Sequence, residues 1–286
     1  YKVNPFSIFK FLIEVRNFDC VLLSHYCIFY LVFLAKNNVR MIGICQDLVF
    51  YRAFSRGFGR RFKKMVFRFE VFIYSKFDNI LVLSYSEYRI LKYFLKDKVF
   101  LISCYDPGNN AKVGFSKNEK IRFNGYISMV SDWRRGENVH GVELFFNSVN
   151  NDFGLINVSI FGYGSDHVYR KLNRMNLKNF EFNNSGFFDS YDQISDNFIF
   201  VPIYIGAGIK LKVLEAFSNR KFVIGTKGAF IGMPKKILSS ISYCLDRFDS
   251  SLGGVDFCYD GFDDFYLKYN MLYMNMGDFF VYIQSR

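Results

Sequence analysis

From residue 121 onward, short apolar runs alternate with helical patterns, and this alternation restricts the chain to a small set of folds. Strand-like runs fall at 121–130, 157–161, 179–182, 198–203 and 221–225, with helical periodicity between them, most plainly at 138–149 and 208–218. Short apolar strands separated by helices pair in parallel, in a sheet covered on both faces. The expected class is therefore α/β. Ligands of such sheets bind beyond the carboxyl ends of the strands. Three of these ends carry small or polar turns: Ser131-Asp132-Trp133-Arg134, Gly162-Tyr163-Gly164-Ser165 and Gly206-Ala207-Gly208. Their convergence on one crevice points to a nucleotide.

The 286 residues suffice for two α/β domains of ordinary size. Strand patterns at 19–23, 39–44, 79–83 and 99–103 alternate with helical ones at 52–76 and 87–94. The stretch 105–120, with Pro107, Gly108, Asn109 and Asn110, lacks apolar periodicity and reads as a linker. This predicts an N-terminal domain at 1–106, a linker at 107–120 and a C-terminal domain at 121–286. The chain begins at Tyr1 with a helical pattern over 6–15, whereas a Rossmann-like domain opens with a strand and a glycine turn. The expectation is that the first domain is truncated.

Half of the residues are apolar and only 22% are charged, which argues against disorder. The net charge of +11 is uneven. Arg52, Arg56, Arg60, Arg61, Lys63, Lys64 and Arg68 fall together with no acid among them and are interleaved with Phe54, Phe58, Phe62, Phe67 and Phe69. Such a tract suits an anionic membrane surface, or a solvated loop followed by a core-packing helix. The six cysteines contain no CxxC pair, and the three histidines do not complete a ligand set with them. Zinc is not expected, and scattered thiols fit a reduced, cytoplasmic setting. The apolar run at 20–35 is shorter than the ~20 residues of a spanning helix and is interrupted by Ser24 and His25.

The chemistry concentrates at 200–217. A strand pattern ends, Gly206-Ala207-Gly208 turns the chain, and a helical pattern begins. Glycines admit close backbone approach, and amides at a helix start favour a diphosphate. Gly208, Lys212, Glu215 and Asn219 share one helical stripe, beside an apolar stripe of Ile209, Val213, Ala216 and Phe217. Lys212 can reach phosphate oxygens, and Glu215 can accept from ribose hydroxyls. The same spacing also describes a surface helix with a Lys–Glu pair worth ~0.2–0.5 kcal/mol. Neither glycine turn completes GxGxxG, so dinucleotide binding is not indicated.

The run from Val201-Pro202 to Glu215-Ala216, followed by Lys221 to Gly225 and by Thr226-x-Gly228-Ala229-x-x-Gly232, resembles the donor-binding signature of the family-four (group 1) retaining glycosyltransferases. Gly125 to Asn138 resembles the first strand and loop of their C-terminal domain. Phe161-Gly162-x-Gly164 resembles the second strand end, and Gly186-Phe187 with Asp189 the turn beside the base. The motifs cover 122–235, while 1–104 matches only as an order of elements.

The resemblance implies a GT-B architecture of two Rossmann-like domains facing across a cleft. It implies a hexosyltransferase-type enzyme that moves sugar from a nucleotide-sugar to a glycan or lipid-linked acceptor in cell-surface polysaccharide or lipopolysaccharide synthesis, with retention. Glu215 would hold the ribose. Lys212, Arg134 and the amides at Ala207 and Gly208 would neutralise the leaving diphosphate, so that neither a metal nor a cofactor is required. Gly206, Gly162, Gly164 and Phe187 would complete the donor site. Ala207 stands where the family often has a second glutamate, which leaves the donor sugar open. Cys45-Gln46-Asp47 stands where it often has His-Asp, so Asp47 is a candidate for orienting the acceptor hydroxyl, or else a helix cap. A site at the inner face of a membrane would follow, with no nucleic acid as partner. A GT-B sugar-nucleotide epimerase and a non-catalytic anionic-surface or nucleic-acid binder are the alternatives.

Overall fold

The computed structural model describes residues 14, 18–24, 39–50, 59–104, 119–149, 154–204, 208–235, 238, 240–245 and 250–284. The helical pattern at 6–15 (except Glu14), the run at 25–35 with His25, the linker at 105–118 and the basic residues Arg52 and Arg56 lie outside them. So do Gly206 and Ala207. Two compact units divide the chain. One comprises 1–103, 207–209 and 272–286, the other 104–206 and 210–271.

In the first unit, β1 (Cys20–Leu23), β2 (Arg40–Cys45), β3 (Asn79–Val82) and β4 (Val99–Leu101) form a parallel sheet in that order. Helix α1 (Arg60–Tyr74) precedes β3, and α2 (Tyr85–Leu95) joins β3 to β4. Leu48, Tyr74, Phe77, Ile80, Val82 and Leu91 build the core of one face. A helical turn opening at Val49 has donors that no helical carbonyl can satisfy. Two acids from neighbouring helices meet them. Glu87 accepts from Leu48 N–H at 3.1 Å, and Glu70 from Val49 and Phe50 N–H at 2.6 and 2.9 Å.

Burial pushes the Glu70 carboxyl up to about 7, against the pull of those two amides. Because the folded form holds its proton more tightly, Glu70 favours folding at low pH, and this contribution is lost as pH rises from about 4.5 to 7. Glu70→Gln should therefore flatten the decline in stability across that window, as measured by urea unfolding at a series of pH values. A slope identical to that of the parent would refute it.

In the second unit, β6 (Tyr126–Val130), β7 (Ile156–Phe161), β8 (Phe180–Gly186), β9 (Phe198–Val201), β10 (Phe222–Gly225) and β11 (Ser242–Cys244) form a parallel sheet of order β11-β10-β9-β6-β7-β8. Helices α3 (Gly136–Asn147), α4 (Ser165–Asn173) and α5 (Leu211–Ser218) connect β6 to β7, β7 to β8 and β9 to β10. All four residues of both β9 and β10 are buried, as continuous apolar strands require. Phenylalanine edges fill the layer between sheet and helix: Phe145 lies 4.6 Å from Phe200 and Phe146 4.9 Å from Phe180, both edge-on.

Several boundaries differ from the sequence expectation, β8 for instance running on to Gly186 rather than ending at 182, and three of the differences have a local backbone cause. The strand expected at 121–130 breaks at Gly125, whose φ is +86°. Its first part, β5 (Lys120–Arg122), instead pairs antiparallel with β12 (Asp256–Cys258). The strand expected to reach 203 ends before Pro202, which has no N–H for a ladder. The helix expected from 208 starts at Leu211, because Gly208 has a φ of +69°.

After α6 (Asp260–Leu272), the chain end returns to the first unit. There α7 (Met276–Gln284) buries Phe279 with Ile42, Leu81 and Ile102, and the Phe100 ring lies 5.2 Å from it. Chain order had grouped these last residues with 121–271.

Candidate functional site

Along the second unit, the strand order is that of a doubly wound parallel sheet, in which the direction of strand addition reverses between β6 and β9. Loops leaving these two strands diverge to opposite faces and open a crevice at their carboxyl ends. The residues after β6 and after β9 are the ones that sequence motifs single out, and they meet. The ammonium of Lys212, in the first turn of α5, donates to Ser131 Oγ at 2.8 Å and to Asn138 Oδ1 at 3.2 Å. Asn138 is itself fixed by donating from Nδ2 to the Asp132 carbonyl at 2.9 Å. Tyr191 Oη donates to the Lys212 carbonyl at 3.3 Å and holds the turn from the other side.

Among the described residues, both partners of this ammonium are neutral. Burial, with Lys210 adding repulsion, brings it down to about 8 from an ordinary 10.5. The Glu137 and Glu215 carboxylates oppose this only in part and neither is bonded to the ammonium, so a half-buried cation that has lost solvation favours an incoming anion.

The loop carrying Ser131 is built for close approach. Gly162 has a φ of +115°, and a Cβ there would collide with the Ser131 carbonyl. Ser131 N–H donates to the Phe161 carbonyl at 3.2 Å, and Trp133 N–H to that of Tyr163 at 2.8 Å. The buried Trp133 indole adds a bond to the Phe161 carbonyl at 2.7 Å, so the tryptophan is a brace for the loop. Gly164, at φ +78°, lies against Trp133 and the Arg134 amide. On the β9 side, Thr226 Oγ1 donates to the Ile203 carbonyl, and a Cβ on Gly228 would strike the same carbonyl. The Thr-x-Gly-Ala motif thus sets the path of the chain leaving β9.

Arg134 points along the surface. Its guanidinium grips Asp132 at 2.8 and 3.1 Å and lies 4.5 Å above the Tyr163 ring. The Arg134 fork holds the Asp132 carboxyl below the usual carboxylate range. Tyr163 in turn packs 4.5 Å from Phe187, and both rings are about half exposed. A cation and two aromatic faces therefore line the ends of β6, β7 and β8.

The structure brings Lys212, Gly162, Gly164, Arg134 and Phe187 together with the loop after β6. Glu215 lies one turn beyond Lys212 on α5 and is exposed; its carbonyl accepts from Asn219 Nδ2 at 2.8 Å, and its carboxylate forms no hydrogen bond or ion pair among the described residues. Gly208 and Asp47 belong to the first unit, where Gly208 N–H donates to Glu87 Oε1 at 3.1 Å and its Cα closely approaches Asp47. Gly206 and Ala207 are outside the described residues. Sequence reasoning gave no role to Ser131, Asn138, Tyr163 or Tyr191. A serine directly after a strand and an asparagine in the following helical turn are the signal that could have found the first two. Among the described residues, no group of three or more His, Cys, Asp or Glu side chains could hold a metal ion.

The sequence matches no protein-family model and no curated protein. Solved structures match it over most of its length. A TarM mutant from S. aureus, in complex with fondaparinux, alpha-GlcNAc-glycerol and UDP, aligns with a TM-score of 0.58 at 15% identity, covering 90% of this chain and 50% of that one. A glycosyltransferase from Rickettsia africae aligns at 0.55 and 15% identity, over 88% and 70% of the two chains. HepE from Anabaena, in complex with UDP and glucose, aligns at 0.55 and 10% identity, over 93% and 77%.

The fold is GT-B.

This chain spans about half the length of the TarM chains it matches. Each of its two units supplies one of the parallel sheets of a GT-B protein. Among the described residues no helix is long and apolar enough to cross a membrane.

Proposed function

We propose that this GT-B chain is a glycosyltransferase of the hexosyl-transferring, retaining kind. It moves a sugar from a nucleotide-sugar to a glycan or lipid-linked acceptor in surface polysaccharide or lipopolysaccharide assembly. The carrying observation is the Lys212 ammonium, held by two neutral oxygens at the reversal point of the sheet. In this reading the donor's anomeric C–O bond breaks and its electron pair leaves on the diphosphate. Lys212 neutralises that charge as it develops, together with Arg134 released from Asp132, without a metal or resident cofactor. Glu215 takes the ribose hydroxyls, and Phe187 and Tyr163 offer their faces to the base. Asp47 orients the acceptor hydroxyl. The UDP bound to TarM and to HepE supports the choice of donor class.

Calorimetric titration with nucleoside diphosphates tests the donor half of this reading. A bound diphosphate favours the charged lysine, so affinity should fall as pH rises through about 8, where the free ammonium loses its proton. Lys212→Arg should move that fall to higher pH. Glu215→Ala should weaken binding of the nucleoside diphosphate about 10-fold or more while leaving inorganic diphosphate unaffected, as expected for lost hydrogen bonds from a charged group. Equal binding of both ligands by parent and variant would remove Glu215 from the site. A pH-independent affinity would remove Lys212.

A further inference from the structure

Helix α1 presents two opposed faces. Its inner face carries Glu70 and Tyr74, which are buried, and Phe67, whose ring lies 5.0 Å from Phe50 and 5.2 Å from Phe94. Its outer face carries Phe62, Met65, Phe69 and Phe72, with exposures of 43, 60, 61 and 50%. These four follow one another at three- and four-residue steps, so they form a single stripe along the helix. Arg61, Lys64 and Arg68, all exposed, form a second stripe directly beside it. Lys76, just past the helix, lies 4.7 Å above the Phe72 ring. The one acid of α1, Glu70, is turned inward onto the Val49 and Phe50 amides. The outer face is thus apolar and cationic with no negative charge.

We propose that this face of α1 lies in the plane of an anionic membrane surface. Phe62, Met65, Phe69 and Phe72 enter the boundary between headgroups and acyl chains, while Arg61, Lys64 and Arg68 reach sideways to lipid phosphates. A helix whose basic residues flank an aromatic stripe has the composition that interfacial binding requires. Long basic side chains can keep their charge at headgroup level while their stems cover apolar surface. A purely electrostatic partner, such as nucleic acid, would leave the aromatic stripe in water. A second copy of the same face would set cation against cation. Charge complementarity therefore selects the anionic bilayer. The inference extends the lipid-linked branch of the proposed function but is read without any sugar donor, so the two fail separately.

The test is flotation of the full chain with vesicles of phosphatidylcholine alone and of equal parts phosphatidylcholine and phosphatidylserine. Binding should occur to the second kind only. Arg61→Gln, Lys64→Gln and Arg68→Gln should each weaken it about 5-fold, the equivalent of about 1 kcal/mol per basic residue. Phe69→Ser combined with Met65→Ser should weaken it at least 10-fold, with the circular dichroism of the parent retained because both positions are exposed. Insertion is read independently in Phe69→Trp, whose added fluorescence should be quenched by lipids brominated on their acyl chains, with the parent's Trp133 as baseline. Equal binding to both vesicle types, binding to neither, or an unquenched Trp at position 69 would each overturn the proposal. So would a concentration-dependent dimer that Phe69→Ser abolishes, or retention on duplex DNA with none on vesicles.

Discussion

Lys212→Ala should lower kcat for sugar transfer or donor hydrolysis by about 10²–10³, the usual cost of removing one fixed donor from a developing anion. Lys210 and Arg135 also carry charge near it, but the Lys212 ammonium is bonded to the loop after β6. Its partners Ser131 and Asn138 are neutral, and Arg134 is held by Asp132 on the outer side of the same loop. Because the charge on the diphosphate grows as the glycosidic bond breaks, the loss should fall more on kcat than on donor affinity. Lys212→Met separates charge from packing: it keeps most of the side-chain volume and should be as impaired as the alanine variant. If Lys212→Met retained parental kcat, the electrostatic role would be refuted.

Gly162→Ala should destabilise the second unit by about 3 kcal/mol, combining the strain of a side chain in a disfavoured backbone region with overpacking against a backbone oxygen. The φ of +115° is one that residues with a Cβ rarely adopt, and the new methyl would occupy the place of the Ser131 carbonyl. At about 2–4 °C per kcal/mol, the melting temperature should fall by roughly 6–12 °C. Gly186 supplies the control. Its φ is +73°, but nothing lies within 4 Å of an added Cβ. Gly186→Ala should therefore cost only the ~1–2 kcal/mol of the left-handed conformation. Scanning calorimetry that finds the two variants equally stable would show that the approach of the β6 and β7 ends is not tight.

How far the sequence reached differs between the two units. In the second unit, strands β7, β9 and β10 fall within about two residues of their expected limits, because fully buried parallel strands are continuous apolar runs flanked by turn residues. Misjudged limits with a local cause lie at Gly125, Pro202 and Gly208. At two of these a positive φ, and at the third a missing N–H, overrides an apolar pattern that runs on unbroken. In the first unit, the four strands are placed, yet nothing in their pattern shows that the chain end packs Phe279 onto Ile42 and Leu81. An apolar helix at the end of a chain declares that it must be buried, but not where.

The same division holds at the site. Local spacing alone put Lys212 one turn before Glu215 and glycines at three strand ends, since periodicity and turn chemistry are properties of neighbouring residues. The pairing of Lys212 with Ser131 and Asn138 joins positions 81 and 74 residues apart, and no local pattern carries it. Strand order created it, by setting β9 beside β6 so that the loops leaving both could meet. The inward turn of Glu70, which leaves the exposed face of α1 without an acid, was decided in the same way: by the Val49 and Phe50 amides, 21 and 20 residues away in sequence, that its carboxylate binds.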